Sequence, residues 1–150
     1  MSALAKPETL RSMNPSPTDT VRTYLRHLHA SDTAGLIATF APDGLVHSPF
    51  LGTMVARDFF ARLAQASRQS VITLIDLFTT VQPEADLVRV AAYFHYDWTL
   101  SDGRVVDFRC VDVFGFKPGS SLIQDMQIVY DTHPLRERVG DKYAPGPLQA

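Results

Sequence analysis

Hydrophobic residues recur at helical spacing in the first part of the chain and at alternate positions in the rest. Ser16 can cap a helix and Pro17 suits its first turn, so a helix is predicted to start here. Three helices are predicted, each with apolar residues three or four positions apart. Their apolar faces are Val21, Tyr24, Leu25 and Leu28, then Leu36, Ile37 and Phe40, then Ala56, Phe59, Phe60 and Leu63.

Strand patterns dominate the remainder of the chain. A short strand is predicted over residues 45–48, and residues 49–52 lead from it towards the third helix. Longer strands are predicted over residues 70–82, 87–100, 104–116 and 122–130. Helices followed by a meander of strands indicate an α+β fold. A curved, mostly antiparallel sheet over three N-terminal helices would enclose an apolar pocket, a usual place for a ligand.

The strand over residues 104–116 carries an acid in the middle of an apolar face. Successive strand residues point to opposite faces. The face that contains Asp112 is otherwise made of Val106, Phe108, Cys110 and Phe114. A buried carboxyl group must be paired, hydrogen-bonded or protonated, so Asp112 is either a functional acid or a structural group. A structural Asp112 would pair with a backbone amide or with Arg109, although alternation places Arg109 on the other face.

Residues 87–100 alternate strictly and predict which side chains face inwards. The inward set on this strand and the next is predicted to be Phe94, Tyr96, Trp98, Phe108 and Phe114. The outward set is predicted to include Arg89, His95 and Asp97. The inward aromatic residues can form either the core or the wall of a pocket.

Composition and charge narrow the function further. The net charge is -2 and no basic stripe is visible, so nucleic acid is not an expected partner. The single cysteine, Cys110, excludes an intrachain disulfide and a multi-cysteine zinc site. The five histidines are scattered without metal-binding spacing, so no metal is expected. Neither a membrane-spanning apolar run nor a signal-peptide segment is present, which predicts a cytoplasmic protein without membrane contact.

Prolines concentrate near the two ends of the chain. Six of the ten lie there, namely Pro7, Pro15, Pro17, Pro134, Pro145 and Pro147. Residues 1–15 are therefore interpreted as a flexible leader, 16–134 as a single domain and 135–150 as a C-terminal tail.

Three motifs resemble a known superfamily over residues 18–131. They are Tyr24-Leu25 with Asp32, Leu36, Phe40 and Asp43 at fixed spacing, then Val46-His47-Ser48-Pro49, then Val111-Asp112-Val113-Phe114-Gly115-Phe116. The chain resembles the cone-shaped fold of the nuclear transport factor 2 (NTF2) superfamily, and within it the SnoaL-like polyketide cyclases and ketosteroid isomerases. This resemblance implies a small apolar ligand, no cofactor and a homodimer formed through the sheet. Apolar residues at the outward positions Tyr93, Val111 and Val113 suit such pairing.

The same resemblance implies roles for individual residues. In ketosteroid isomerases a tyrosine on the first helix and a protonated aspartic acid on a late strand form an oxyanion hole. Tyr24 and Asp112 fall on these two positions. The isomerase base is an aspartate before a proline, where this chain has Ser48. The adjacent His47 can supply a base at neutral pH, although neighbouring strand residues point opposite ways.

The sequence therefore predicts an enzyme that acts on an apolar carbonyl compound by proton abstraction and enolate stabilisation. Isomerisation, cyclisation and dehydration all fit this chemistry. The alternative is a non-catalytic ligand-binding or dimerisation module with the same fold. The predicted catalytic residues are Tyr24, His47 and Asp112. The predicted substrate-binding residues are Ser48, Phe50, Phe94, Tyr96, Trp98, Phe108, Phe114 and Met126.

Overall fold

The computed structural model describes residues 15–81 and 86–133. Except for residue 15, the predicted leader lies outside this range, as does the predicted tail. The elements in chain order are α1 (Pro17–His29), α2 (Thr33–Ala38), β1 (Phe40–Ser48), β2 (Gly52–Val55), α3 (Ala56–Ala66), β3 (Ser67–Thr79), β4 (Val88–Leu100), β5 (Val105–Phe116) and β6 (Ile123–Tyr130).

Helix α1 begins where the sequence predicts, because its first residues form a capping box. The Asp19 amide donates to Ser16 Oγ and the Ser16 amide donates to Asp19 Oδ2, both at 3.1 Å. The apolar stripe of α1 is buried and includes Tyr24. Helix α3 likewise buries Phe59 and Phe60. Both helices therefore pack with their predicted apolar faces in the core.

The six strands form one sheet in the order β2-β1-β6-β5-β4-β3. Strands β1 and β6 are parallel, and the other neighbours are antiparallel. The register of β3 against β4 shifts between Leu74 and Asp76, an irregularity of the kind that bends a strand. Three helices packed on this mostly antiparallel sheet confirm the predicted α+β class.

Two predicted boundaries are wrong at the start of the sheet. Phe40 was expected on the second helix, but α2 ends at Ala38 and Phe40 opens β1. Phe40 pairs with Ile123 of β6, and the Ile123 amide donates to the Thr39 carbonyl at 2.9 Å. The residues before α3 were not predicted to pair, but β2 forms a short hairpin with β1. Phe40 pairs with a residue far along the chain, and β2 is only four residues long. Neither feature therefore produces a periodic pattern in the sequence.

Alternation along β4 and β5 confirms the predicted inner and outer faces. Phe94 and Phe114 are 0% exposed, and Tyr96 is buried. On the outer face His95 lies between Asp97 and Asp107, 3.5 and 3.3 Å from their carboxylates. The inner face packs against α1 and α3 and leaves a cavity between them.

Candidate functional site

A cavity of about 410 Å³ lies between the helices and the inner face of the sheet. Its helical wall is formed by Tyr24, Leu28, Phe59, Arg62, Leu63 and Ala66. Its sheet wall is formed by Phe94, Tyr96, Trp98, Leu100, Val106, Phe108, Cys110, Asp112, Ile128 and Tyr130, with Arg104 at the start of β5. Ser48, Phe50 and Leu51 complete the lining. The size suits a small organic ligand.

Asp112 is the carboxyl group in this wall. It lies on β5 opposite Ala92 of β4 and Ile128 of β6, and it is 3% exposed. Burial raises the pKa of Asp112 from 3.8 to about 7, and a hydrogen bond from the Cys110 thiol acts in the opposite direction. Cys110 Sγ lies 3.1 Å from Asp112 Oδ1. Within the described residues no basic side chain forms an ion pair with this carboxyl group.

The structural alternative with Arg109 is wrong. Arg109 points to the outer face, where its Nη1 donates to the Tyr93 hydroxyl at 3.2 Å. The period-two alternation that separates the two faces of β5 keeps this guanidinium away from Asp112.

Tyr24 lines the same cavity from α1. Its ring packs edge-on against Phe114 and Phe60, with centroids 5.0 and 6.0 Å away, and the residue is 2% exposed. Burial raises the pKa of the Tyr24 hydroxyl well above 10, and the nearby charge of Asp112 raises it further. The hydroxyl therefore remains protonated and can donate a hydrogen bond to a ligand. Tyr24 and Asp112 therefore line one cavity, Tyr24 from the helical wall and Asp112 from the sheet wall.

His47 lies outside the cavity, which corrects the expectation that it could serve there as a base. Its Nε2 lies 2.6 Å from Asp125 Oδ2 and its Nδ1 lies 2.8 Å from Thr53 Oγ1. The neighbouring Ser48 lines the cavity instead, because consecutive residues of β1 face opposite sides. Ser48 Oγ accepts hydrogen bonds from the Phe50 and Leu51 amides at 3.2 Å, so it stabilises the turn after β1.

Most of the predicted substrate-binding residues lie in the cavity wall. Those that do are Ser48, Phe50, Phe94, Tyr96, Trp98 and Phe108. Phe114 and Met126 are fully buried but do not line the cavity, which corrects their predicted role. They fill the core behind the wall, where Phe114 supports the ring of Tyr24.

Several wall residues were not predicted. Tyr130 packs against Phe108 with ring centroids 4.8 Å apart, and Phe108 stacks on Tyr96 at 5.3 Å. Tyr130 shares its strand parity with Met126, so alternation along β6 could have identified it. Arg62 and Arg104 also line the cavity. Their position depends on how α3 and the β4–β5 turn pack, and no sequence periodicity marks it.

A group of potential metal ligands lies on the outer face. In the described ranges, His95, Asp97 and Asp107 offer atoms within 4.8 Å of one another. His95 already pairs with both carboxylates, and all three side chains are partly or fully exposed to solvent. No helix in residues 15–81 and 86–133 is long and apolar enough to cross a membrane.

The fold is that of α+β proteins in which helices and a mostly antiparallel sheet enclose a cavity. The sequence profile of the SnoaL-like domain matches residues 21–122, and the chain belongs to this family. No curated protein matches the chain.

Solved structures of other proteins share the fold. An NTF2-like protein of unknown function from Burkholderia pseudomallei K96243 has a TM-score of 0.65 at 20% identity, covering 81% of this chain and 95% of that one. A hypothetical protein with a ketosteroid isomerase-like fold from Catenulispora acidiphila DSM 44928, in complex with trimethylamine, has a TM-score of 0.65 at 16% identity, covering 86% and 98%. TerC, co-crystallised with polyporic acid, has a TM-score of 0.64 at 17% identity, covering 84% and 100%. At these identities the likeness shows the fold alone.

Proposed function

We propose that this SnoaL-like protein is an enzyme that removes a proton next to the carbonyl group of a small apolar compound. The observation that carries the proposal is that Tyr24 and Asp112 line the same cavity, whose wall is otherwise mostly apolar. A donor and a group able to exchange a proton are the two parts that enolisation requires.

Asp112 supplies the base in this proposal. A general base works best when its pKa is close to the working pH, and burial raises the pKa of Asp112 to about 7. The Cys110 thiol donates to the carboxylate form and so keeps that form accessible. His47 is bound to Asp125 on the other face, so Asp112 replaces it as the base.

Tyr24 supplies the oxyanion donor. Its hydroxyl stays protonated and would hydrogen-bond the carbonyl oxygen as negative charge develops on it. Asp112 takes the proton from the adjacent carbon and carries it as a neutral acid. Return of that proton to another carbon completes an isomerisation, whereas loss of a leaving group or attack of the enolate on a second carbonyl gives dehydration or cyclisation.

The test uses proton–deuterium exchange at the methyl group of para-acetylbiphenyl, an apolar ketone, followed by NMR in D₂O. We expect Asp112→Asn to lower the exchange rate by about 10²–10⁴-fold and Tyr24→Phe by about 10²–10³-fold. His95→Ala, on the outer face, is the control and should not change the rate.

The same experiment separates two roles for Asp112. If Asp112 acts only as a protonated donor beside Tyr24, Asp112→Asn keeps a donor and loses only part of the activity. If Asp112 is the base, Asp112→Asn should leave only the background rate of exchange. If the wild-type protein accelerates exchange for none of a panel of aryl ketones of cavity size, the enzyme proposal is wrong.

A non-catalytic binding module is the second candidate. The stacked rings of Tyr96, Phe108 and Tyr130 form a platform for a flat apolar ligand whether or not chemistry follows. Two of the structural relatives were crystallised with small organic molecules. This candidate predicts saturable binding of aryl ketones without proton exchange.

We also propose that the protein forms a homodimer through the outer face of the sheet. Phe78 and Val129 on this face are 53% and 50% exposed, and they lie beside the partly buried positions Tyr93, Val111 and Val113. A contiguous apolar patch on a sheet favours association with another surface.

A further inference from the structure

The mouth of the cavity has a different chemistry from its interior. The cavity-lining residues that are exposed to solvent are Phe50, Leu51, Arg62, Ala66 and Arg104. They come from the β1–β2 turn, the C-terminal half of α3 and the start of β5. The two arginines are the basic side chains of the described wall, and both are at the mouth.

The two arginines are differently engaged. Arg104 Nε donates to Asp102 Oδ2 at 2.6 Å, which leaves the two terminal nitrogens of its guanidinium group available. Arg62 forms no hydrogen bond or ion pair with any described residue. Asp102 offsets part of the charge of Arg104, and the two wall arginines together leave net positive charge at the mouth.

The interior of the cavity is lined mostly by apolar side chains. Val106, Phe108, Cys110 and Asp112 line the cavity on one face of β5, so the wall runs along the strand from the mouth to the acid. Six residues of strand separate Val106 from Asp112, which corresponds to roughly 20 Å at 3.3 Å per residue. A ligand that reaches Asp112 with one end can thus present its other end to the arginines.

We propose that the substrate is an elongated apolar carbonyl compound with a carboxylate at the end remote from the reacting carbonyl group. The orientation rests on the proposed function, which places the carbonyl group at Tyr24 and Asp112. Arg62 and Arg104 bind the carboxylate at the mouth, and the aromatic wall holds the apolar body. A carboxylate is proposed rather than a phosphate monoester, because a phosphate monoester carries close to two negative charges and Asp102 already offsets part of the positive charge at the mouth.

The charges also determine which end of the ligand lies at Asp112 and which end lies at the mouth. A carboxylate at the reacting end would have to be desolvated beside Asp112, where no described cation compensates it. At the mouth the same group stays partly in water and meets two guanidinium groups. The arrangement therefore selects both the substrate and the way round in which it binds.

The experiment measures binding of two probes of nearly equal shape to the full chain by calorimetry. One is para-terphenyl with an acetyl group and a carboxylate at its two ends, and the other has a methyl group in place of the carboxylate. Trp98 is the only tryptophan and lines the cavity, so quenching of its fluorescence shows that a probe occupies the site. We expect the carboxylate probe to bind roughly fivefold to tenfold more tightly at low ionic strength, on the scale of exposed ion pairs.

Variants locate the source of this preference. Arg62→Gln and Arg104→Gln should each reduce the preference for the carboxylate, measured as the ratio of the Kd values of the two probes. Arg57→Gln is the matched control, because Arg57 is an exposed arginine on the same helix as Arg62 and does not line the cavity. Added salt should weaken only the carboxylate probe.

Equal affinity for the two probes would overturn the proposal, and so would a preference that survives both arginine variants. Failure of the carboxylate probe to bind at millimolar concentration would also overturn it. The binding result does not depend on turnover. A preference for the carboxylate probe without proton exchange would support the anion site and contradict the proposed enzymatic activity. Proton exchange without a carboxylate preference would support the activity and contradict the anion site.

Discussion

Each face of β5 carries one aspartate, and the two aspartates differ in their exposure to solvent and in their hydrogen-bond partners. Asp107 on the outer face has a side chain that is 68% exposed and lies 3.3 Å from His95 Nε2. Asp112 on the inner face is 3% exposed and has a thiol as its hydrogen-bond partner. They are five positions apart, an odd number, so alternation alone sends one into water and the other into the cavity.

The outer face satisfies its polar groups with one another. His47 binds Asp125, His95 lies between two aspartates, and Arg109 donates to Tyr93. On the inner face, burial raises the pKa of Asp112, and its hydrogen-bond partner is the Cys110 thiol. A carboxyl group whose pKa is raised by burial in a cavity is a candidate for proton exchange with a ligand.

The largest expected effect contrasts one phenylalanine from each face. Phe114→Ala removes a fully buried ring that supports Tyr24 and should lower the free energy of unfolding by about 3–5 kcal/mol. Phe78→Ala removes a ring that is 53% exposed on the outer face and should cost less than about 1 kcal/mol. Chemical denaturation at low protein concentration measures both. Equal losses would mean that the two faces do not differ in packing.

The next largest effect is a dependence of protein stability on pH that arises from the titration of Asp112. Folding raises its pKa from 3.8 to about 7, so the folded protein holds this proton more tightly than the unfolded chain. Stability should therefore fall as the pH rises from about 4 to about 7, by up to about 1.4 kcal/mol for each pH unit, and level off above.

Asp112→Asn removes this titration and should flatten the curve of unfolding free energy against pH. The outer-face variant Asp107→Asn is the matched control and should keep the slope of the wild-type protein. Parallel curves for the wild-type protein and Asp112→Asn would show that burial does not raise the pKa of Asp112.

Much of this contrast follows from the sequence, because β4 and β5 are long enough for alternation to show. Phe94 and His95 were assigned to opposite faces, and Asp112 was singled out as an acid among apolar neighbours. The helices were also predicted from spacing and from the cap at Ser16. In each case the signal is local and repeats several times along the element.

The remainder depends on contacts between distant segments. Phe40 joins the sheet through Ile123, more than eighty residues later, and no local pattern encodes that pairing. Which of His47 and Ser48 faces the cavity depends on how β1 pairs with β2 and β6. Arg62 reaches the mouth only because α3 packs across the end of the cavity. Sequence periodicity identifies faces, but it does not say which faces meet.

A smaller effect tests whether the outer face is an interface. We expect light scattering of the wild-type protein at micromolar concentration to give the mass of a dimer. Val111→Arg would place an unpaired charge in the middle of the apolar patch and weaken the dimer by about 2 kcal/mol or more, roughly 30-fold in Kd. Val105→Arg is the control, because Val105 is 64% exposed at the far end of β5. A monomer mass for the wild-type protein would contradict sheet-to-sheet pairing.

The smallest effect concerns His47, the residue that separates the two faces most sharply. His47 is next to the cavity-lining Ser48 in sequence, yet its ring binds Asp125 and Thr53 on the outer side. Both side chains of the His47–Asp125 contact are partly exposed, with 29% and 38% of their side-chain surface accessible. Such pairs contribute about 0.2–1 kcal/mol, so His47→Ala should lower the free energy of unfolding by no more than about 1 kcal/mol. Asp125→Asn should cost a similar amount, and the double variant should cost less than the sum, because both changes remove the same contact.

Neither single variant should change the rate of ketone proton exchange. A loss of exchange on the scale of Asp112→Asn would return His47 to the reaction and remove the distinction between the faces.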